Sequence, residues 1–146
     1  MEKMSTNFKD FISGYSIEVV PNSAAKIESF KEILPINTRV YIAHLETENI
    51  ATMVATAKRI NEEGFTVMPH IPARIIQNQT MLNEWISMYQ NEAGVKEALL
   101  LAGGSTKPVG DYDSSMQLIE SGLFDKAGFK RLHIAGHPEG SKDIDP

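Results

Sequence analysis

The sequence contains no cysteine, which excludes disulfide bonds and thiolate chemistry. No apolar run approaches the roughly 20 residues that a membrane-spanning helix requires, and residues 1–10 lack the apolar centre of a secretory signal. The 14 lysines and arginines are outnumbered by 19 aspartates and glutamates, and no basic stripe marks a nucleic-acid interface. These absences predict a cytoplasmic protein that binds neither membranes nor nucleic acids.

The chain has 146 residues, 42% of them hydrophobic, which suits a single domain with a sizeable core. Five apolar segments of strand length recur along it, and each leads into proline, histidine or glycine. They are Tyr15–Val20, Arg39–Ala43, Phe65–Met68, Leu99–Ser105 and Lys130–Ala135. Because unusual residues gather at the same end of every segment, we expect the functional site at the carboxyl ends of the strands.

Segments with helical periodicity separate these strands. They are predicted from Asn22 or Ser23 to about Leu34, from Glu48 to Glu63 after a Thr47 cap, from about Asn78 to Ala93, and from about Ser114 to Ala127. Their apolar positions predict that Ile33 and Met116, among others, face the core. The alternation of strands and helices predicts a parallel α/β sheet with right-handed crossovers.

Two architectures fit this alternation. A five-stranded doubly wound sheet of the flavodoxin type agrees with the chain length, and the pattern alone favours it. Such a sheet normally ends with a helix over its last strand, however, and no helix follows Ala135. A (β/α)8 barrel needs about 250 residues, so residues 1–146 would supply its amino-terminal portion, about five of the eight strands.

A few polar residues stand out against the apolar strands. Glu18 fits either the solvent side of an edge strand or a ligand-facing position from which it could donate a proton to a substrate. His44 and His70 lie at strand ends, where a hydrogen-bonded structural role is the commoner one. His133 lies within a strand and is expected to point to the opposite face from its neighbours. No histidine pair has a recognised ligand spacing, so no metal site is predicted.

Two strand ends carry unusual turns. Gly103-Gly104-Ser105 lacks the spacing of a P-loop or of a dinucleotide fingerprint, so it fits a tight turn or an exposed backbone that approaches a large flat ligand. The segment Ala135–Gly140 places small residues before and after His-Pro-Glu. Packing alone does not explain that combination.

Three motifs in register resemble the methylenetetrahydrofolate reductase family. Ser16–Pro21 is similar to the family's first-strand Ser-Phe-Glu-Phe-Phe-Pro, and Pro69-His70 is similar to its third-strand Pro-His-Leu-Thr. Ala135–Gly140 resembles the fifth-strand Ala-Tyr-Pro-Glu-Gly-His. The resemblance covers nearly the whole chain. It implies a partial (β/α)8 barrel that binds FAD. It also implies an oxidoreductase, in which NADH or NADPH reduces the flavin and the flavin then reduces 5,10-methylenetetrahydrofolate to 5-methyltetrahydrofolate.

The same resemblance implies the site residues. Glu18 matches the acid that protonates the folate and opens its one-carbon bridge. The implied cofactor-contacting positions are His44, His70, Gly103, Gly104, Tyr112, Asp113, His137 and Ser141.

The chain also departs from the family. Ala102 and Gly104 stand where the family usually has arginine and aspartate, which suggests a related folate substrate or another electron donor. A barrel opened after five strands exposes two edges, so we expect the chain to be part of a longer enzyme or to associate with itself, and to be inactive alone. The alternatives are a non-catalytic flavin- or folate-binding module and a flavodoxin-like regulatory domain.

Overall fold

A single parallel sheet organises the protein, whose computed structural model describes residues 10, 12–140 and 142. The strands are β1 (Ser16–Val19), β2 (Arg39–Ile42), β3 (Thr66–Pro72), β4 (Glu97–Leu101) and β5 (Arg131–Ile134). They lie in the order β1-β2-β3-β4-β5, so each strand is paired with the next one along the chain. All four pairings are parallel.

Helices connect the strands. Within the described residues that follow β1 they are α1 (Pro21–Ala24), α2 (Ile50–Glu62), α3 (Gln79–Ala93), α4 (Ser115–Glu120) and α5 (Leu123–Lys126), with 3-10 turns at Phe30–Glu32 and Ala73–Ile75. The predicted parallel α/β fold is therefore confirmed. Among the helices that the structure describes, none combines the length and the apolar character needed to cross a bilayer.

The core lies between one face of the sheet and the helices. Side chains alternate along each strand, and those that point to the helices are apolar and buried: Val40, Ile42, Val67, Ala98 and Leu100. The helices pack against these side chains with buried faces of their own. These faces are formed by Met53, Ala57 and Ile60 of α2 and by Leu82, Ile86 and Tyr89 of α3. Each buried valine, leucine, isoleucine or methionine among them stabilises the fold by about 1.5–3 kcal/mol, so this face holds the sheet and helices together.

The opposite face carries polar side chains among apolar ones, and it is concave. Tyr41 on β2 and His133 on β5 have ring centroids 5.9 Å apart, although two strands lie between them. Neighbouring strands are about 4.8 Å apart, so three spacings would separate the two backbones by about 14 Å in a flat sheet. The two rings meet because the sheet curves towards this face.

The helix predicted over residues 22–34 is wrong. Only α1 and the turn at Phe30–Glu32 form there. Arg59 of α2 donates hydrogen bonds to three backbone carbonyls of this segment, those of Ala24, Ile27 and Glu28. The backbone N–H of Phe30 donates to the Glu63 carboxylate at 2.6 Å. These side chains replace partners that a continuous helix would find within its own backbone, and Ile33 is consequently 58% exposed rather than buried.

The helix predicted over residues 114–127 is divided into α4 and α5. Gly122 adopts a left-handed conformation with φ 65°, which ends one helix and begins the next. Met116 lies in α4 but is 55% exposed, so its predicted place in the core is wrong. The third strand is longer than the predicted segment Phe65–Met68, because β3 continues to Pro72.

The other two helices agree more closely with their predicted spans. The α2 helix begins later than expected, because Asn49 rather than Thr47 caps it and accepts a hydrogen bond from the N–H of Thr52. The α3 helix is as predicted: Asn78 caps its start, and Gly94 ends it with φ 64°.

Candidate functional site

The concave face brings Glu18 and His70 together, as the sequence predicted for a shared site. Glu18 lies in β1 and His70 in β3, and their Oε2 and Nε2 atoms are 3.1 Å apart. The Glu18 side chain is 58% exposed, whereas that of His70 is 10% exposed. A carboxylate that faces solvent beside a buried imidazole can both hold a proton and present it to a ligand on this face. The desolvation expected of Glu18 is not supplied by the described residues, so it would come from the ligand.

His70 is positioned by the sheet rather than by a loop. Its ring meets Tyr41 edge to face, with centroids 6.3 Å apart. Its Nε2 atom is buried and has no hydrogen-bond partner among the described residues, because the close Glu18 oxygen lacks the alignment that a hydrogen bond needs. Burial lowers the pKa of His70, the Glu18 carboxylate opposes this effect, and His44 adds to it.

His44 lies just beyond β2 and is held from two sides. Its ring stacks on Trp85 of α3, with centroids 5.1 Å apart, and its Nε2 atom lies 3.1 Å from the carbonyl oxygen of Glu48. Its Nδ1 atom is buried without a hydrogen-bond partner in the described part of the chain. Burial lowers the pKa of His44, and the backbone and charge of Glu48 oppose that shift. The histidine is within electrostatic reach of His70.

The two buried histidines predict an acid-sensitive fold. Because the pKa of each is below the ordinary value of 6.5, an unfolded histidine binds a proton at a pH where the native one is still neutral. The stability that the two neutral histidines contribute is therefore fully present above pH 6.5. It is lost as the pH falls from 6.5 through the lower native pKa values. Urea unfolding at about pH 7.5 and pH 5.5 should show a smaller loss in the double variant His44→Gln/His70→Gln than in the wild type.

The matched control is His137→Gln, which changes an exposed histidine. It should retain the full wild-type pH dependence. Equal losses in the double variant and the wild type would show that other groups cause the acid sensitivity.

The loop after β4 is fixed in place by Arg74. This side chain donates from Nε to the Asp113 carboxylate at 2.8 Å and from Nη1 to the carbonyl of Ser105 at 3.0 Å. Gly103 has φ 99°, and a Cβ atom there would lie 3.0 Å from Cβ of Pro72, so this position requires glycine. Gly104 has no such constraint: a Cβ atom there would lie 3.8 Å from Oε1 of Glu46.

A cleft of about 650 Å³ lies at the carboxyl ends of β4 and β5. Its lining includes Asp113 and His137, which the sequence predicted, together with Arg74. Glu18, His44, His70, Gly103, Gly104 and Tyr112 are not among its lining residues. Tyr112 is buried, 8% exposed, and Ser141 lies outside the described residues. Of the predicted site residues, Glu18 and His70 therefore share the concave face, whereas Asp113 and His137 line the cleft.

Several polar residues of the concave face were not predicted as site residues. They are Arg39, Tyr41 and Glu97. His133 was expected to point to the opposite face from its neighbours, and its side chain does lie on this face. Polar residues at every second position of β2 and β5 were the available signal, since such residues share one face. In β4 only Glu97 is polar, because Leu99 and Leu101 follow it on that face, so its role had no such signal. Which of them meet across the strands depends on register and curvature.

In the part of the chain that the structure describes, no three histidine, aspartate or glutamate side chains are grouped closely enough to hold a metal ion. The described side chains of the site supply carboxylate, imidazole, phenol and guanidinium groups. No protein-family model matches the sequence.

Proposed function

We propose that the chain forms the amino-terminal part of a (β/α)8 barrel flavoenzyme that reduces a folate one-carbon unit, as its resemblance to methylenetetrahydrofolate reductase implies. The observation that carries this proposal is the contact between Glu18 and His70, 3.1 Å apart on the concave face of a parallel sheet. Active sites of such barrels lie at the carboxyl ends of the strands, where both residues are found.

The strand order supports the barrel. In a barrel every strand pairs with its successor, as β1 to β5 do here. A flavodoxin-like sheet has the order 2-1-3-4-5, in which the direction of winding reverses. The contact between Tyr41 and His133 across two intervening strands adds the curvature that closure into a barrel requires. We propose that further strands, from a longer polypeptide or from a second copy, pair with the outer edges of β1 and β5.

The residues fit a flavin in two respects. The imidazole of His70 and the carboxylate of Glu18 lie side by side on the concave face, where a planar ring can pack against them. The cleft beside β4 and β5 has the volume typical of small-molecule sites, and Arg74 lies in its lining. When bound, FAD would accept hydride from NADH or NADPH and pass it to the substrate.

Glu18 and His70 would handle the proton that the reduction needs. In the proposed role, a protonated Glu18 donates from its carboxyl oxygen to a nitrogen of the folate, and His70 fixes the orientation of that carboxyl group. The buried His70 ring cannot move away from Glu18 without losing its packing against Tyr41.

The aspartate that the family usually carries at the position of Gly104 has a local counterpart. Oε1 of Glu46 lies 3.8 Å from the place where Cβ of residue 104 would be, and it accepts a hydrogen bond from the Ser105 hydroxyl at 2.7 Å. A carboxylate thus reaches this part of the site from the loop after β2. This supports a catalytic site over a purely binding one.

The first test is flavin binding. We expect the protein to bind one FAD per chain, with quenched flavin fluorescence, and His70→Ala to weaken binding about tenfold, as loss of one polar contact would. Titration of FAD into the purified protein, followed by gel filtration with absorbance detection, measures both values. If the polypeptide that contains this sequence, extended through all strands of its barrel, binds no FAD, the proposal is wrong.

A non-catalytic flavin- or folate-binding module is the second candidate, and the high exposure of Glu18 favours it. Such a module would bind FAD without oxidising NADH or NADPH in the presence of methylenetetrahydrofolate. Turnover that depends on Glu18 would exclude it.

A further inference from the structure

Three polar side chains from three strands form a hydrogen-bonded chain on the concave face. The Tyr41 hydroxyl of β2 lies 3.3 Å from Nδ1 of His133 in β5. The Nε2 atom of the same histidine lies 3.4 Å from Oε2 of Glu97 in β4. Both ring nitrogens of His133 are thus engaged.

The carboxylate decides which nitrogen carries the proton. An ionised carboxylate only accepts hydrogen bonds, so the neutral His133 ring must donate from Nε2 to Glu97. Its Nδ1 is then an acceptor, and the Tyr41 hydroxyl must be the donor. Carboxylate, imidazole and hydroxyl therefore lie in the order that activates a hydroxyl group in nucleophilic and general-base catalysis.

Packing holds this arrangement in place. The side chains of Glu97 and His133 are only 16% and 22% exposed, and the Arg39 guanidinium balances the carboxylate charge from 3.8 Å. Tyr41 is half-buried, and its ring contacts His133 edge to face. Met68, the partner of Tyr41 in the strand register, is fully buried on the same face. Tyr41 is the last group of this chain, so its phenol oxygen is the atom to which a ligand proton would pass.

We propose that Tyr41 is a general base of this face, activated through His133 and Glu97, for a ligand that carries a weakly acidic N–H or O–H group such as a lactam or a phenol. The ligand proton passes to the phenol oxygen of Tyr41 while the Tyr41 proton passes to Nδ1 of His133. The ligand is left as an anion, His133 becomes an imidazolium, and Glu97 faces its positive charge. No electrons are transferred, and the step requires no flavin, so it stands apart from the proposed folate reduction.

Phenylmethanesulfonyl fluoride tests the transfer of the Tyr41 proton directly. The Tyr41 oxygen attacks the sulfur, the S–F bond breaks, fluoride leaves, and His133 takes the phenol proton. We expect Tyr41 to be labelled about 100-fold faster than Tyr15, the low end of what a positioned base contributes, although Tyr15 is 42% exposed. Peptide mass spectrometry over a time course measures both rates in one sample.

His133→Gln distinguishes the loss of proton transfer from the loss of the hydrogen bond to Tyr41. Glutamine can still accept that hydrogen bond, but it cannot take the Tyr41 proton. The variant should label Tyr41 no faster than Tyr15, and Glu97→Gln should slow Tyr41 labelling at least about tenfold. The Tyr15 rate, which neither change should alter, is the internal control. Labelling of Tyr41 that is slow in the wild type, or unchanged in Glu97→Gln, would overturn the proposal.

A measurement on the unmodified wild type covers the case in which a variant fails to fold. Long-range ¹⁵N–¹H correlation spectra report which nitrogen of a neutral histidine carries the proton. We expect His133 to be protonated on Nε2. Protonation on Nδ1 would contradict the proposed direction of the relay.

Discussion

Replacing Glu18 with glutamine is expected to reduce folate-dependent oxidation of NADH or NADPH by about 10²- to 10⁴-fold, the range that a positioned general acid contributes. Glutamine has nearly the same size and keeps the contact distance to His70, but its amide cannot donate a carboxylic proton. FAD affinity should change little, since Glu18 is proposed to act on the substrate rather than on the cofactor. A stopped assay of 5-methyltetrahydrofolate, with flavin occupancy measured in parallel, checks both expectations.

Glu84→Gln is the matched control, because it makes the same chemical change on the exposed surface of α3. It should leave turnover and flavin occupancy unchanged. Unaltered turnover in Glu18→Gln would exclude Glu18 as the proton donor. Loss of flavin binding together with turnover would instead assign Glu18 to cofactor binding.

The second large effect is structural and concerns Gly110. A Cβ atom at this position would lie 1.9 Å from the carbonyl oxygen of Gln77, which is far inside van der Waals contact. Gly110→Ala must therefore push the loop away and break the hydrogen bond from the Asp111 N–H to Gln77, 3.0 Å long. Overpacking and the lost bond together should lower the free energy of unfolding by about 2–4 kcal/mol.

Urea unfolding followed by circular dichroism measures this change. Gly136→Ala is the control, because a Cβ atom at Gly136 meets no atom within 4 Å and its φ is not positive. We expect the control to alter the free energy of unfolding by less than about 0.5 kcal/mol. Similar values for both variants would mean that the loop after β4 moves freely away from Gln77.

The Gly110 variant also bears on the site. The displaced loop carries Asp113, the ion-pair partner of Arg74 in the lining of the cleft. Weaker FAD binding in this variant, with the contact between Glu18 of β1 and His70 of β3 unaffected, would place part of the cofactor in the cleft.

The parallel sheet could be predicted from the sequence because each strand contains a short apolar run, and segments with helical periodicity separate these runs. The α3 helix was equally clear, since Asn78 and Gly94 mark its ends locally. The segment over residues 22–34 has helical periodicity as well, yet Arg59 and Glu63 bind its backbone from another helix. The residues that make these long-range hydrogen bonds lie elsewhere in the chain, so the sequence pattern of residues 22–34 does not reveal them.

The meeting of Glu18 and His70 followed from the rule that parallel strands end at the same edge of the sheet, combined with their positions in the sequence. The relay of Tyr41, His133 and Glu97 could not be predicted in the same way. Its members come from three strands, and their contacts depend on how strongly the sheet bends. Curvature arises from the packing of all helices against one face, a property of the whole domain.

The sequence by itself determined the alternating strands and helices, the parallel sheet and the end of it that carries the unusual residues, because these depend on local periodicity and on the turn chemistry of proline and glycine. The tertiary structure decided the order of the strands, the concave face and the division of the predicted residues between that face and the cleft. Those features depend on strand register and on contacts between residues far apart in the chain, for which no short stretch of sequence carries the information.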